Sequence, residues 1–310
     1  MSTRNISKNK DNADLNGEFV KQTLLWYEKY GRDLPWRKTT DPYQILVSEM
    51  MLQQTQVSRV IPKYNTFLAR FPTINSLAAA SLGDVLEVWI GLGYNRRAKF
   101  LQQMAKVVVE KYDGALPQNY EQLLELPGLG PYTAGAVCAF AYNQPVIVID
   151  ANIKKIYNRV FGVEEKEIVA LVAATVPKDR ARDFYNALMD ISSRYYSDRE
   201  ALVSSQTRVQ TGDASTMSVY PYADFCKWYV GGARTIPSLK IVKQSKFHES
   251  NRWYRGQILR LLIAAKDKSI TQAQFVALSP QKKYNAALSE LIAEKIVDQK
   301  KPENLLTLVR

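Results

Sequence analysis

Cysteine and histidine are nearly absent: the 310 residues hold two cysteines, Cys138 and Cys226, and one histidine, His248. Two thiols cannot build a disulfide framework or a four-thiolate iron–sulfur cluster, and one imidazole beside them makes a poor ligand set. Metal-dependent chemistry is therefore not expected. Long apolar runs are missing too. Nothing approaches the roughly 20 residues that span a bilayer, and the polar stretch from Met1 to Gly17 has no apolar core of a secretory signal. No membrane partner is expected, and the location expected is cytoplasmic. Acidic residues are the third shortage, 30 Asp+Glu against 42 Lys+Arg, which leaves a net charge of +12. Such a surplus points to a polyanion, with nucleic acid first. The remaining composition, 46% hydrophobic and 23% charged, excludes disorder for most of the chain, and the length suits two domains.

The first seventeen residues mix Ser, Asn, Lys and Asp without period and read as a flexible arm. From Glu18 to about Glu200 apolar residues recur at spacings of three and four, with short Pro- or Gly-bearing turns at Arg70–Thr73, Gly91–Gly93, Leu116–Gln118 and Pro127–Gly130. The only strand-like run there, Val146–Ile149, is too short for a sheet, so the class is all-α. Residues 201–250 lose the pattern and read as a linker with an aromatic-rich island at Tyr220–Tyr229. Helical spacing returns at Asn251–Ala265, Thr271–Leu278 and Gln281–Val297, followed by an extended Leu305–Val309. Three helices and a strand suggest a winged-helix-like module over 251–310. Residues 240–310 carry 14 Lys+Arg against 6 Asp+Glu, so most of the positive surplus lies in this tail.

Three constellations could carry chemistry. In Leu126-Pro-Gly-Leu-Gly-Pro-Tyr-Thr-Ala134, Gly128 and Gly130 sit in a turn that opens a helix, with Thr133 in its first turn. Backbone amides bared there suit phosphate, and the flanking residues match a helix-hairpin-helix that grips a DNA backbone without reading bases. In Pro145-Val-Ile-Val-Ile-Asp150 an acid ends an apolar run and precedes a helix, where it could simply be an N-cap. A second candidate capping group, Asn152, lets Asp150 face solvent as well. In Gln44–Gln56, residues Glu49, Gln53 and Gln56 fall at i, i+4 and i+7, a polar stripe on an otherwise apolar helix. A carboxyl so placed is partly desolvated, which favours its holding and donating a proton.

Leu34-Pro-Trp-Arg37, Asp41-Pro-Tyr43, Ser48–Gln56, Trp89-Ile-Gly-Leu-Gly-Tyr94, Leu126–Gly135 and Ile149-Asp-Ala-Asn152, in this order, resemble the MutY-type adenine DNA glycosylases of the helix-hairpin-helix superfamily. The likeness covers about residues 20–200. It implies a bilobal helix-hairpin-helix fold over 18–200, with a barrel lobe at about 45–150 and a second lobe from 18–44 plus 151–200. By the same resemblance Glu49 is the general acid that protonates adenine N7, Asp150 stabilises the sugar cation and Asn152 is its neighbour. Trp36 and Arg37 edge the base pocket, Gln53 and Gln54 lie at the lesion gap, Tyr94 wedges into the base stack, and Asp190 lies near the adenine. Gly128, Gly130 and Thr133 are phosphate-binding. Excision of a base needs a flipped nucleotide, a proton for the leaving base and negative charge for an oxocarbenium-like sugar, so two acids suffice.

Tyr132 stands where the lyases of this superfamily keep a Schiff-base lysine, so a monofunctional enzyme without AP-lyase activity is implied. The partner is double-stranded DNA with a mismatch or lesion, bound by a monomer. Adenine and thymine are not separated by Tyr132 alone, which leaves a thymine or uracil mismatch glycosylase as the enzyme rival. A non-catalytic DNA-binding protein is the other, and two acids argue against it. Two departures stand out. Family members usually carry four cysteines just after the position of Asp190, where this chain reads Ser192-Ser-Arg-Tyr-Tyr-Ser197. It resembles a variant without an iron–sulfur cluster, and no cofactor is expected beyond a monovalent cation that the hairpin could hold. Nothing after Glu200 resembles the nudix-like β domain with which most bacterial relatives read 8-oxoguanine.

Overall fold

In the computed structural model, residues 3–196, 220–227, 237–239, 246–278, 282–300 and 305–309 are described. Eleven helices precede residue 197: α1 Thr3–Tyr30, α2 Pro42–Leu52, α3 Val57–Arg70, α4 Ile74–Ala79, α5 Leu82–Trp89, α6 Arg96–Tyr112, α7 Tyr120–Leu124, α8 Pro131–Tyr142, α9 Ala151–Phe161, α10 Glu165–Thr175 and α11 Ala181–Tyr195. The chain divides into two compact units, Met1–Arg37 with Ala134–Val242, and Lys38–Thr133 with Lys243–Arg310. These bounds differ from the lobes read in the sequence, and the C-terminal module belongs to the barrel unit rather than standing alone.

Residues 3–17, read from composition as a flexible arm, are the first turns of α1. The stretch has no proline, and extending a nucleated helix costs far less than starting one. Its polarity all round hid the period. Further along α1, Phe19, Thr23 and Trp26 are buried at i, i+4 and i+7. Phe19 meets Tyr157 and Phe161 of α9 and Phe184 of α11 at ring-centroid distances of 5.4, 5.0 and 5.9 Å. The aromatic island adds to this core. Tyr220, Tyr222 and Cys226 are buried, and the hydroxyls of Tyr222 and Thr23 share a hydrogen bond of 2.7 Å. The rest of that linker lies largely outside the described residues. Val146–Ile149 forms no strand, and its backbone is held instead by Tyr185, whose hydroxyl donates to the Val146 carbonyl at 2.7 Å and accepts from the Val148 amide at 3.1 Å.

In the other unit α6 is central, burying Ala98, Leu101, Met104, Ala105 and Val108 against α2, α4 and α5. The helix expected over 44–56 is broken: α2 ends at Leu52, Gln54 has a φ of +58°, and Gln56 is the N-cap of α3. Glu49, Gln53 and Gln56 therefore do not share one helical stripe. The cause is Arg97, whose guanidinium takes carbonyls that the next turn of α2 would need.

The C-terminal module runs α12 Asn251–Ala264, β1 Ser269–Thr271, α13 Gln272–Leu278, α14 Lys282–Ala293, β2 Val297–Lys300 and β3 Leu305–Leu308. The strands form an antiparallel sheet in the order β1-β3-β2, with Ile270 opposite Leu306 and Val297 opposite Leu308. This is the connectivity of a winged helix. Only β3 was legible as extended chain; α14 stops at Ala293, and Lys295, at a φ of +54°, turns the chain into β2. The module packs on α5. Lys268 bridges Asp84 at 2.7 Å and Glu87 at 3.0 Å, beside Gly83, where an added Cβ would lie 3.3 Å from the lysine side chain. No helix among the described residues is long and apolar enough to cross a membrane.

Candidate active site and phosphate hairpin

Asp41 starts α2 by accepting from the Tyr43 amide at 2.9 Å, with Pro42 at the first helical position. Pro fits there because its missing N–H would have no partner in any case. The helix that follows is buried nearly all round, from Tyr43 to Met51. Glu49 is thus a carboxyl inside an apolar helix, 6% exposed. The Tyr132 hydroxyl, from the first turn of α8, donates to its Oε2 at 3.1 Å. The spacing argument for a desolvated Glu49 fails in its helical detail and holds in its outcome, because burial comes from the whole helix.

Arg97, 7% exposed, holds this region together. Its Nη1 donates to the carbonyls of Met50, Met51 and Gln53 at 2.6, 3.0 and 2.7 Å. Its Nη2 donates to the carbonyls of Leu92 and Gly93 at 3.2 and 3.0 Å and to Thr55 Oγ1 at 3.2 Å. One guanidinium therefore ties the end of the Glu49 helix to the turn that carries Tyr94. Burial pushes its pKa down to about 10, still above neutrality. Sequence reasoning missed this residue, since nothing in the pattern marks an arginine as buried. Tyr94 itself has a φ of +49° and follows Gly93 at +72°, a left-handed pair that turns the chain sharply.

The hairpin links α7 to α8. Gly128 has a φ of +80°, and an added Cβ there would lie 2.5 Å from the Cβ of Phe100, so packing alone demands glycine. At Gly130 a Cβ would meet nothing within 4 Å, and the residue is exposed; no internal contact requires glycine there. Thr133 departs from expectation. It is 3% exposed, and its hydroxyl accepts from Gln53 Nε2 at 3.1 Å, so the side chain faces inward.

Asp150 lies in the other unit and caps α9. Its Oδ1 accepts from the amides of Asn152 and Ile153, each at 2.8 Å, and its Oδ2 from Asn152 Nδ2 at 2.7 Å. Burial pushes its carboxyl above the ordinary aspartate range, and these three donors only partly counter that. The capping role and the Asp150–Asn152 pairing are therefore both present. Ser192 Oγ donates to Asn152 Oδ1 at 3.4 Å, which orients the amide.

Trp36, Arg37 and Asp190 also belong to this unit. Trp36 is buried in the short 3-10 turn Pro35–Arg37. Asp190, 2% exposed, is gripped by Arg37 through Nη1 at 2.6 Å and Nη2 at 2.7 Å and by the Nε and backbone amide of Arg32 at 2.6 and 2.8 Å. Burial raises its pKa, but the Arg37 hydrogen bonds and charge more than offset that, and the carboxyl is held below its usual range. Arg37 and Asp190 are thus engaged with each other, tying the end of α1 to α11. Arg32 was not foreseen. Among the described residues no group of three or more His, Cys, Asp or Glu could hold a metal ion. Residues 192–196 finish α11, with Tyr195 and Tyr196 buried.

A helical fold with this hairpin and one buried acid in each unit is that of a helix-hairpin-helix base-excision protein. The family described as HhH-GPD superfamily base excision DNA repair protein matches residues 47–176. The adenine DNA glycosylase of Mycolicibacterium smegmatis is 35% identical over 289 residues, covering 90% of this chain and 92% of that protein. Its namesake from Mycobacterium tuberculosis is 36% identical, covering 88% of each. A solved structure of a thermostable thymine-DNA glycosylase superposes with a TM-score of 0.60 at 28% identity, covering 70% of this chain and 98% of that one. The chain belongs to the adenine DNA glycosylase family.

Proposed function

We propose that this protein is a monofunctional glycosylase of base excision repair, which hydrolyses the N-glycosidic bond of adenine mispaired with guanine or 8-oxoguanine in double-stranded DNA. The observation that carries the reading is Glu49, a carboxyl buried in an apolar helix and touched by the Tyr132 hydroxyl. Such a group can hold a proton and deliver it to N7 of a purine, which then departs as a neutral base. Asp150 supplies negative charge to the oxocarbenium-like sugar in its ionised form, which its three N–H donors favour. Asn152 positions it, and water attacks the sugar carbon. Tyr132 contributes no amine, so the abasic strand stays intact. The exposed, unfilled space at Gly130 suits close approach of a DNA phosphate to the hairpin amides, as does Gly128, while Thr133 contributes through its backbone only. Trp36, Gln53, Gln54 and Tyr94 belong to the base pocket and lesion gap. Arg37 and Asp190 serve by fixing that pocket's frame. The chain works as a monomer in the cytoplasm, associated with the nucleoid, without an iron–sulfur cluster or other cofactor.

The likeness to a thymine-DNA glycosylase favours a second reading, a thymine or uracil mismatch enzyme. Thymine leaves as an anion that needs hydrogen bonds to its carbonyls rather than a proton at a ring nitrogen, which makes a buried acid less apt. Single-turnover excision from duplexes with A, T or U opposite G, C and 8-oxoguanine separates the two. Adenine release is expected; release of thymine or uracil from G mismatches with adenine untouched overturns the assignment.

A further inference from the structure

The barrel unit contains a pocket of about 390 Å³ with two unlike walls. One wall is Gln53, Gln54 and Tyr94; the other is Asn251, Arg252 and Arg255 from the start of α12. The C-terminal module therefore does more than add a basic surface. Its first helix reaches the residues placed above at the lesion gap.

We infer that Arg252 is a specificity-determining residue, and that the pocket it closes takes the keto purine standing opposite the excised base. This rests on the glycosylase reading above and adds to it the part played by the C-terminal module.

The two arginines of α12 are differently engaged. Arg255 is held by Glu294 at 2.5 Å and Glu290 at 3.0 Å, so its charge is balanced and its fork occupied. Arg252 instead donates from Nη1 to the Tyr94 hydroxyl at 2.8 Å, and its guanidinium carbon lies 4.9 Å from the centre of that ring. The guanidinium carbon of Arg97 lies 5.5 Å from the same ring. Two arginines thus fix an aromatic plate, one through the barrel and one through the module. A base stacked beside Tyr94 would place its edge next to Arg252, Asn251 and the Gln53 and Gln54 amides.

Donor chemistry then selects the base. Guanine presents O6 and N7 acceptors on one edge, the pair an arginine fork matches, whereas cytosine presents an amino donor on its corresponding edge. Oxidation of guanine at C8 adds a second carbonyl and turns N7 into a donor, which a glutamine side-chain oxygen can accept. The pocket also lies within the size range of small-ligand sites, about 300–1,000 Å³.

The test uses the full chain and duplexes with a tetrahydrofuran abasic analogue opposite 8-oxoguanine, guanine or cytosine, so that binding is read without excision. An undamaged duplex is the control. Wild type is expected to bind the two keto purines above cytosine. Arg252→Ala should compress that preference on the order of 10-fold, the lower part of the range for one bidentate base contact, while undamaged-duplex binding changes by less than about 3-fold, the share of one phosphate contact. Arg252→Lys should recover the charge without the preference, and Tyr94→Phe should shift the preference the same way by less. An equal loss on every duplex would make Arg252 a phosphate contact and overturn the inference, as would a wild type indifferent to the opposing base. Retained preference with no adenine release would sink the proposed activity and leave the pocket assignment standing.

Discussion

The two units each bury one candidate acid, and they do so in opposite ways. Glu49 sits mid-helix among apolar neighbours, touched by the Tyr132 hydroxyl. Asp150 sits at a helix start and collects three N–H donors. A carboxyl surrounded by hydrocarbon favours its neutral form, and one aimed into a helix N-terminus favours its charge. The same chemical group is thereby prepared for proton donation in one place and for charge in the other. Burial nevertheless outweighs the donors at Asp150, so its charge is held against desolvation.

The comparison breaks most sharply if each acid is made neutral without changing its shape. Glu49→Gln removes the proton donor and Asp150→Asn the charge. Each should lower single-turnover excision at least roughly 10²-fold while duplex binding survives. Asp150→Asn keeps an oxygen that can accept from the α9 amides, so thermal melts should show a smaller loss than the kinetics. Near wild-type rates in folded variants would falsify the two-acid assignment.

Two buried arginines extend the contrast from acids to their frames. Arg37 faces a carboxylate, whereas the printed partners of Arg97 are five carbonyls and one hydroxyl. Asp190→Asn leaves Arg37 buried beside a neutral partner and should cost about 3–5 kcal/mol. Arg97→Met strands carbonyls at the end of α2 and in the Tyr94 turn, and about 3 kcal/mol or more is expected from several unsatisfied buried groups. Urea melts measure both. Arg97→Met should in addition slow excision, because Glu49 and Tyr94 lie at the two ends of what Arg97 joins; a variant that melts lower yet excises normally would make the residue purely structural.

These residues also show where the sequence was readable. Asp150 and Asn152 could be placed because capping is local: the donors lie two and three residues on. The hairpin could be placed because a glycine with positive φ leaves a mark in the pattern. Glu49 was found for a partly wrong reason, since the helix was taken to run through Gln56. Its end is set by Arg97, more than forty residues away, and no local period records that. The inward turn of Thr133, the Arg37–Asp190 clamp and the docking of Arg252 on Tyr94 are likewise long-range. Of the C-terminal sheet only β3 alternates visibly; β1 and β2 are too short and polar to show a period.

Acidity gives a finer test, because the two aspartates shift in opposite directions. Asp190 is held below its usual range, so its stabilising effect is full above the ordinary aspartate value of 3.8 and is lost as pH falls through its lowered value. Asp150 is raised by burial, so its neutral form favours the fold below 3.8, and that contribution disappears as pH rises through the raised value. Melting temperatures of wild type, Asp150→Asn and Asp190→Asn across pH 3 to 7 should therefore diverge, with roughly that window bracketing the ordinary carboxyl range. If catalysis needs ionised Asp150, the acid limb of the excision rate should lie above 3.8. A limb at or below that value would mean that Asp150 acts only as a cap.

The smallest expected effect concerns Tyr132, and it sharpens the comparison at Glu49 alone. Its hydroxyl donates to Oε2 at 3.1 Å, an interaction that steadies the carboxyl and favours its charged form over its neutral one. Tyr132→Phe removes that donor and little else. A hydrogen bond to a charged group contributes about 1.5–3 kcal/mol and one to a neutral group about 0.5–1.5 kcal/mol. If Glu49 is protonated when the base is bound, the lower figure applies and the rate should fall by no more than about 10-fold. Losing a donor to the anion also moves proton release to higher pH, so the basic limb of the profile should shift upward as the plateau falls. A basic limb that stays in place would mean that Tyr132 does not tune Glu49. A loss as large as that of Glu49→Gln would instead give Tyr132 a direct part in the reaction.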